Sequence, residues 1–340
     1  MFSTADQVRK LFSEFESLRV LIVGDVMIDS YLKGMVERIS PEAPVPVVAL
    51  QQREDMLGGA ANVALNIKSL GAVPLLCSVI GDDSQGAVLL KLLEKEGIGY
   101  AGIIKAPNRI TTTKYRIIGN KMQMLRVDHE TDQDLNGEEE KLLLNGINEL
   151  VGNENPDVII LQDYNKGVLT PAVIEGIIQI ALKEKIPVVV DPKRKNFTAY
   201  HSVSLFKPNL KEIREGLKIE IDPKSEVSLR AAAELIHTQQ RIDTVMITLS
   251  DAGIFVSHRN LQSFDSAILK AHVRTIADVS GAGDTVISIA ALCVATGLSL
   301  ESMAGLANLA GGLVCEQVGV VPVNKQALMK EAISLLTSKL

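Results

Sequence analysis

Apolar runs and helical patterns alternate along most of the chain. The runs are short, rich in β-branched residues and nearly unbroken by polar positions, which is typical of strands buried on both faces. They read RVLIVGDVMID, VPLLCSVIGDD, DVIILQDY, IPVVVDPK, SLFKPN and TVMITLSDAGIFVSH. Between them, segments such as AANVALNIKSLG and PAVIEGIIQIALKEK place apolar residues at helical spacing. The alternation predicts an α/β fold with a mostly parallel central sheet and helices on both faces.

Two segments interrupt this alternation, residues 33–57 and 101–128. Both read as extended strands with no helix between them. They predict a small β-layer beside the main sheet that acts as a lid or a dimer surface; two surface hairpins are the alternative. Their apolar positions need cover, and contact between two lids would supply it, so we expect a homodimer through the β-lid. These positions are Val45, Val47, Val48, Ile117 and Ile118.

Polar residues gather where the predicted strands end. In an open α/β sheet, ligands bind beyond the carboxyl ends of the strands, so residues from distant strands meet at one edge. Any one of them could instead cap a helix or form a turn. The set comprises Asp25, Asp29, Asp82, Asp83, Asp163, Asp191, Lys193, Lys207, Asn209, Ser250 and Asp251.

Composition narrows the class of protein. The chain has 340 residues, 46% of them hydrophobic, which suits one large domain spanning residues 1–340. A net charge of −6 argues against a nucleic-acid partner. The three cysteines form no CxxC pair, which favours a reducing compartment over a zinc site or disulfide framework. We find no signal segment and no apolar run of about 20 residues, so we expect a cytoplasmic protein without a membrane partner.

The stretch DVSGAGDT, residues 278–285, places two glycines beside an acid just before a long apolar run. Gly281 and Gly283 would leave backbone N–H groups open at a helix N-terminus, which is a ready anion site. Asp284 then reads either as a catalytic carboxylate or as an acid that stabilises the helix dipole. The chain contains no GxxxxGK[ST], GxGxxG, HExxH or GxSxG pattern.

Four motifs together resemble the ribokinase-like, PfkB-type carbohydrate kinases. They are DVSGAGDT, GGAANVALNIKSLGA from Gly58, KPNLKE from Lys207 and TLSDAGI from Thr248. Their order is that of the family, and the resemblance covers roughly residues 18 to 325. It implies a ribokinase-like fold and transfer of the γ-phosphoryl group of ATP to a sugar hydroxyl.

The resemblance also implies roles for the residues of these motifs. Asp284 would accept the proton of the attacking hydroxyl, and the helix start from Gly281 would stabilise the phosphoryl group through the N–H groups of Ala282, Gly283 and Asp284. A carboxylate at a helix N-terminus is expected to stay ionised and to be a weak base. Asn209 and Glu212 would hold Mg²⁺ mainly through water, although their spacing equally fits a helix capping box.

The nucleotide would lie along a second set of residues. The resemblance implies Lys193, Thr248, Ser250, Gly253, Asn308, Gly311 and Gly312 as cofactor-binding residues. The last two glycines could instead serve close helix packing, and Asn308 could be an ordinary helix residue. Family members also bind a monovalent cation such as K⁺, for which Asp278 and residues 315–319 are the candidates.

The lid segments resemble one subgroup of the family, the kinases that phosphorylate D-glycero-β-D-manno-heptose 7-phosphate at C1 in lipopolysaccharide core synthesis. The matching stretches are GDVMIDSYLKGMVERISPEAPVPVV from Gly24, TTTKYRIIGNKMQMLRVDHE and QDYNKGVLT. The resemblance implies sugar contacts from Asp25, Asp29, Glu37, Arg38, Gly58, Gly59 and Asn62. Cations for the sugar phosphate are available in Arg38, Lys114, Arg116, Arg126 and Lys166, with surface charges or salt bridges as the alternative.

In many relatives of this subgroup a nucleotidyltransferase domain follows the kinase. Here the sequence ends at Leu340, and we expect the kinase activity alone. The alternatives are a kinase of the same family for another sugar, sugar phosphate or nucleoside, and a sugar-phosphate sensor on a kinase fold.

Overall fold

Two β-sheets and ten α-helices make up the part of the chain that the computed structural model describes, residues 2–260 and 263–337. The strands are β1 (Arg19–Gly24), β2 (Val26–Ile39), β3 (Pro46–Gly59), β4 (Val73–Gly81), β5 (Gly102–Ala106), β6 (Thr113–Gly119), β7 (Met122–His129), β8 (Val158–Gln162), β9 (Val188–Asp191), β10 (Leu205–Phe206), β11 (Thr244–Thr248), β12 (Ile254–Arg259) and β13 (Phe264–Leu269). The α-helices are α1 (Ala5–Glu14), α2 (Ala60–Ser69), α3 (Ser84–Lys95), α4 (Gly137–Glu154), α5 (Pro171–Glu184), α6 (Leu210–Leu217), α7 (Glu226–Gln240), α8 (Ala282–Ala295), α9 (Leu300–Cys315) and α10 (Lys325–Leu336).

The main sheet has nine strands in the order β13-β12-β11-β10-β9-β8-β1-β4-β5. All neighbours from β11 to β5 pair in parallel, and β12 and β13 are antiparallel additions at one edge. The predicted mostly parallel α/β sheet is therefore confirmed.

Helices cover both faces of this sheet, which explains why its central strands are apolar at every position. In β1, Val20 and Ile22 pack in a core with α1, α2, α3, α8, α9 and α10. Leu21 and Val23 point to the other face and pack with α4, α5, α6 and α7. Successive side chains of a strand point to opposite faces, so both cores draw on the same short runs.

The sheet has its topological switch point at β1. The chain leaves β1 toward β4 and β5 on one side and later returns through β8, β9, β10 and β11 on the other. Loops diverge at such a point and open a crevice beyond the carboxyl ends of the strands. Asp25 follows β1 there, Asp163 follows β8, Asp191 ends β9 and Lys207 follows β10.

A second sheet has four strands in the order β3-β2-β6-β7, and we refer to it by its predicted role as the lid. Its boundaries differ from the prediction in two ways. The run RVLIVGDVMID is divided at Asp25, so that β1 belongs to the main sheet while β2 already belongs to the lid. Within the predicted segment 101–128, residues 102–106 pair in parallel with β4 as the edge strand of the main sheet. A short edge strand and a lid strand look alike in sequence.

The two faces of the lid differ in chemistry. Tyr31, Arg116 and Arg126 lie side by side in register on one face. The opposite face, which we call the apolar face, carries Leu32, Ile117 and Leu125 in the same way, and beside Leu32 it also carries Arg53 of β3, which pairs with Asp55. The charged face includes the Asp29–Arg116 ion pair, whereas the apolar face leaves Leu125 57% exposed.

None of the helices within residues 2–260 and 263–337 is both long enough and apolar enough to span a membrane.

Gly24, the last residue of β1, lies where the chain packs tightly at the switch point, and a substitution there tests this packing. A Cβ atom on Gly24 would overlap the carbonyl oxygen of Gln162 in β8. We expect Gly24→Ala to lower the free energy of unfolding by about 1–3 kcal/mol, because the two strands must move apart. The control is Gly152→Ala in α4, where no heavy atom lies within 4 Å of the added Cβ. That change should raise stability by up to ~1 kcal/mol. Urea unfolding measures both, and equal stability of the two variants would contradict the packing described here.

Candidate active site

Asp284 lies in the first turn of α8, and the side chain is buried, with 4% of the residue exposed. The helix begins at the cap residue Gly281, whose φ of +79° lies in the left-handed region that favours glycine. No side chain caps the helix. Because the rest of α8 is apolar and lies in the core, the helix directs its N-terminus and Asp284 into the crevice of the sheet.

Three side chains donate hydrogen bonds to the Asp284 carboxylate. Asn62 Nδ2, in α2, lies 2.7 Å from Oδ2. The Tyr164 hydroxyl and Gln162 Nε2, at the end of β8, lie 2.7 and 3.2 Å from Oδ1. Elements that are far apart in sequence thus hold both oxygens of one buried carboxylate.

Burial raises the pKa of Asp284 to about 6, against the hydrogen bonds from Asn62 and Tyr164, which lower it. The nearby Asp191 charge raises this pKa further, and the Lys207 charge lowers it. The helix N-terminus alone predicts an ionised, weakly basic acid. The structure differs, because burial of the Asp284 carboxylate outweighs the hydrogen bonds that favour its charged form. Asp284 is therefore a stronger base than an ordinary aspartate.

Asn62 is itself held by a second buried asparagine. Asn66 Nδ2 donates to the Asn62 backbone carbonyl at 3.0 Å. The Thr285 hydroxyl and the Val323 N–H donate to Asn66 Oδ1 at 3.0 and 3.1 Å. Asn62 is predicted to contact the sugar; in the structure its amide nitrogen donates to the Asp284 carboxylate of the neighbouring helix.

A buried ion pair lies beside the helix start. Lys207 Nζ is 3.1 Å from Asp191 Oδ2, and Gln162 Nε2 donates to the same oxygen at 3.2 Å. A Cβ on Gly283 would lie 3.8 Å from Lys207 Nζ, so the ammonium faces the N-terminus of α8. The sequence predicted that Asp191 and Lys207 meet at the edge of the sheet where ligands bind, because each follows or ends a strand, but it did not predict that they pair with each other.

The backbone at the helix start is partly free to bind an anion. Within residues 2–260 and 263–337, the N–H groups of Gly283 and Asp284 donate to no acceptor. The Ala282 N–H, which was expected to join them, donates to the Val279 carbonyl at 3.3 Å. Two backbone donors at a helix N-terminus suit a phosphoryl group, and the Lys207–Asp191 ion pair lies beside them, with Lys207 Nζ and Asp191 Oδ2 at 3.8 and 3.9 Å from a Cβ built on Gly283.

Asn209 and Glu212 form a capping box at the start of α6. The Glu212 N–H donates to Asn209 Oδ1 at 2.9 Å, and the Asn209 N–H donates to Glu212 Oε2 at 2.9 Å. Lys193 pairs with the other Glu212 oxygen. Within the described residues no cluster of three or more His, Cys, Asp or Glu could enclose a metal. The donors fit a hydrated Mg²⁺ held through water rather than a cation in a protein cage.

The residues expected to bind the nucleotide lie in two places. Thr248 forms a parallel bridge with Asn209, and Ser250 and Gly253 make the turn into β12 at the same edge of the sheet. On α9, Asn308 Nδ2 donates to the Lys270 carbonyl at 2.8 Å.

The two α9 glycines allow close packing. A Cβ on Gly311 would lie 2.9 Å from Val286 Cγ2 of α8, and one on Gly312 would lie 2.8 Å from Arg274 Nε. The contacts of both glycines in the structure therefore fit the alternative that they serve close helix packing.

Asp25 and Asp29 differ in their surroundings. The Asp25 carboxylate accepts the N–H groups of Tyr164, Lys166 and Val168 at 2.8, 3.1 and 3.1 Å. It holds the loop after β8, which leaves it little capacity for the expected sugar contact. Asp29 pairs with Arg116 on the lid.

The expected glycines pack against these two acids. A Cβ on Gly58 would overlap the Asp29 carboxylate, and one on Gly59 would overlap the Asp25 carbonyl. Both positions need glycine because the acids approach so closely.

The lid cations are paired with acids. Lys114 Nζ lies 3.2 Å from Asp128 and 3.0 Å from Glu130, and Lys166 Nζ lies 2.6 Å from Glu130. Arg126 Nε lies 2.9 Å from Asp128.

Glu37 and Arg38 lie far from these groups. They are exposed near the end of β2, roughly 25–30 Å along the strand from Asp29 at about 3.3 Å per residue. The structure therefore does not bring them to Asp284 within one chain.

Asp278 links the loop before α8 to the segment after α9. Its carboxylate accepts the Ser280 N–H at 2.9 Å and the Gly319 N–H at 3.0 Å. Burial raises the pKa of Asp278, but these backbone bonds outweigh it and hold the pKa below its usual value. The predicted cation candidates Asp278 and residues 315–319 are thus neighbours, although N–H groups already use the carboxylate.

Comparison with known sequences agrees with this geometry. A profile described as pfkB family carbohydrate kinase matches residues 17–327. A protein of Methylobacillus flagellatus named Bifunctional protein HldE is 41% identical over 312 residues, which cover 92% of this chain and 62% of that protein. A protein of the same name from Caulobacter vibrioides is 41% identical over 314 residues, with 92% and 63% covered. The chain thus spans a little under two thirds of the length of these relatives.

Solved structures show the same fold at low sequence identity. Phosphofructokinase-2 from Escherichia coli, in complex with substrates and products, superposes with a TM-score of 0.75 at 18% identity, covering 94% of this chain and 99% of that one. Ribokinase from Arabidopsis thaliana, with ribose and ATP, gives 0.69 at 15% identity, with 92% and 99% covered. The solved structures thus share the fold, and the profile match over residues 17–327 shows that the chain belongs to the pfkB family of carbohydrate kinases and is a phosphotransferase acting on a sugar hydroxyl.

Proposed function

We propose that this chain transfers the γ-phosphoryl group of ATP to the C1 hydroxyl of D-glycero-β-D-manno-heptose 7-phosphate, giving the 1,7-bisphosphate and ADP. The observation that carries the chemistry is Asp284, a buried base held by three donors beside free backbone N–H groups. The heptose is supported by the resemblance of the stretch from Gly24 and of the other lid segments.

In this mechanism, Asp284 accepts the proton of the C1 hydroxyl. The hydroxyl oxygen forms a bond to the γ-phosphorus while the bond from that phosphorus to the β,γ-bridging oxygen breaks, and ADP leaves with the electron pair. The transition state of such a transfer is loose, so positioning and charge stabilisation dominate. The N–H groups of Gly283 and Asp284 and the Lys207 ammonium would supply that stabilisation.

Mg²⁺, when bound with ATP, neutralises charge on the phosphates. Asn209 and Glu212 would hold its waters. Lys193 supports this role, because its ion pair fixes the Glu212 carboxylate at the edge of the crevice. Burial lowers the pKa of Lys193, but the negative charges of Asp191 and Glu212 outweigh it and raise the pKa above its usual value. Lys193 therefore stays charged near the phosphates.

The 7-phosphate would bind at the charged face of the lid. Among the residues that the structure describes, Lys114, Arg126 and Lys166 pair with two carboxylates, those of Asp128 and Glu130. This cluster therefore carries one excess positive charge and fits a phosphate that competes with the acids for the cations. The alternative is a kinase of the same family for another sugar, sugar phosphate or nucleoside. A non-catalytic sensor does not account for the buried base at the helix start.

A substrate screen tests the assignment. We expect ADP release with heptose 7-phosphate to exceed that with ribose, fructose 6-phosphate and adenosine in kcat/KM. Lys166→Gln should raise KM for the sugar phosphate about 10- to 100-fold, the worth of one charge-assisted hydrogen bond. The control is Lys183→Gln. The Lys183 side chain lies in α5 and is 77% exposed, so this change should leave KM for the sugar phosphate unaltered. Higher kcat/KM for any of the other acceptors would contradict the heptose assignment.

We also propose a homodimer through the apolar face of the lid. Leu50 is 58%, Leu125 57% and Val127 46% exposed there, and such a patch favours association. Sedimentation velocity at micromolar concentration should give twice the chain mass of 36.7 kDa. Leu125→Glu should give monomers, whereas Leu142→Glu should not, because Leu142 is equally exposed at 57% but lies in α4. A monomeric wild-type chain would overturn the proposal.

A further inference from the structure

We infer that Tyr164 is a positioning residue for the base, and that its hydroxyl orients the Asp284 carboxylate and keeps it ionised. The inference rests on the proposed role of Asp284. Neither Tyr164 nor its neighbour Gln162 belongs to the motifs that the sequence offers for catalysis.

The hydrogen bonds at Asp284 leave room for one more partner. Asn62 occupies Oδ2, while Tyr164 and Gln162 occupy Oδ1. A carboxylate offers about four lone-pair sites, so one remains for a substrate hydroxyl. With both oxygens held, the carboxylate cannot rotate, and the free lone pair has a fixed direction.

The tyrosine is held in turn by two charged residues. Its N–H donates to Asp25 Oδ2 at 2.8 Å, and Lys193 Nζ lies 5.4 Å from its ring centroid. This cation–π contact helps to fix the ring. Burial, with the Asp284 and Asp191 charges, raises the pKa of Tyr164 well above its ordinary value. The hydroxyl therefore keeps its proton and acts toward Asp284 only as a donor.

A donor of this kind favours the charged form of the acid. The charged groups that face Asp284 are Asp191 and Lys207, which pair with each other at 3.1 Å, and Lys193 lies behind the tyrosine ring. The Asp191 and Lys207 charges have opposite effects on the ionisation of Asp284 and largely cancel. The hydrogen bonds from neutral side chains are therefore what opposes the effect of burial, which favours the protonated acid. Without the Tyr164 hydroxyl, more of Asp284 would be protonated near neutral pH and unable to act as a base.

The chain contains a matched control for this contact. The Tyr200 hydroxyl donates to Asp163 Oδ2 at 2.7 Å, the same distance as that from Tyr164 to Asp284. Asp163 is also buried, with a pKa that burial and the Asp25 charge raise to about 6. Tyr200→Phe thus removes an equivalent hydrogen bond from a buried aspartate that is not the proposed base.

The test is the pH dependence of kcat/KM for the wild-type chain, Tyr164→Phe and Tyr200→Phe, with the best acceptor from the substrate screen. The base must be ionised, so activity should fall as the pH drops through about 6 in the wild type. Loss of the Tyr164 donor should move this acid limb upward by about one pH unit. Tyr200→Phe should leave the limb in place. An unmoved limb in Tyr164→Phe would overturn the inference.

A second measurement needs no substrate. In the free protein labelled with [¹³Cγ]aspartate, Asp284→Asn identifies the resonance of the base, and its titration should move upward in Tyr164→Phe but not in Tyr200→Phe. An unmoved titration, with turnover lost in Asp284→Asn, would overturn the inference and leave the proposed function intact. Full turnover in Asp284→Asn would overturn both.

Discussion

A carboxylate buried at the switch point of the sheet is the constraint around which the crevice is built. An isolated buried charge is very costly unless hydrogen bonds and nearby charges compensate for it. The Asp284 donors come from α2 and from the end of β8, 222 and 120–122 residues away in the chain. The loops after β1 and β8 and the two helices must therefore all be in place before the carboxylate is satisfied.

The same constraint explains the surrounding polar residues. Asn66 holds Asn62, and Asp25 holds the backbone of the Tyr164 loop. Their buried polar groups have few alternative partners, so a shift at one would leave donors or acceptors unpaired. Such fully connected networks are rigid, and rigidity suits a reaction in which positioning contributes most of the rate.

The lid differs in this respect. Its acids and cations pair with one another at its charged face, and several side chains there are half-buried or exposed. The side chains of these pairs are 16–25% exposed, so a phosphate that replaces one of the acids would have to offer the cations comparable charge-assisted hydrogen bonds. The molecule thus combines a fixed base with a surface whose charges can rearrange around a substrate.

The sequence predicted the main sheet because the runs that form its central strands are nearly unbroken by polar positions, and it predicted Asp284 because the glycines beside it are unusual. The sequence also predicted the capping box of Asn209 and Glu212, because these two residues lie three positions apart. It placed Lys207 at the ligand-binding edge, but it did not predict the contacts of Tyr164 and Gln162 with Asp284 or the ion pair of Lys207 with Asp191. Their roles depend on contacts between strands that are distant in sequence, and no local pattern marks such contacts.

The boundary between β1 and β2 was wrong for a related reason. Asp25 interrupts an otherwise continuous apolar run, and only the three-dimensional loop that it holds shows that the chain changes sheet at this residue. The Ala282 N–H was also predicted wrongly as an open donor, because it donates to the Val279 carbonyl. Val279 belongs to a loop whose sequence has no regular pattern.

The most direct test of the central claim is turnover and ATP binding in Asp284→Asn. Loss of a general base should lower kcat by about 100- to 10,000-fold, while the dissociation constant for ATP, measured by calorimetry, should stay within a few-fold of the wild-type value. The control is Asp163→Asn, which changes a buried aspartate whose pKa burial also raises to about 6 and whose carboxylate accepts hydrogen bonds from Asn196 and Tyr200; this variant should retain far more turnover. A kcat within a few-fold of wild type in Asp284→Asn would contradict the account.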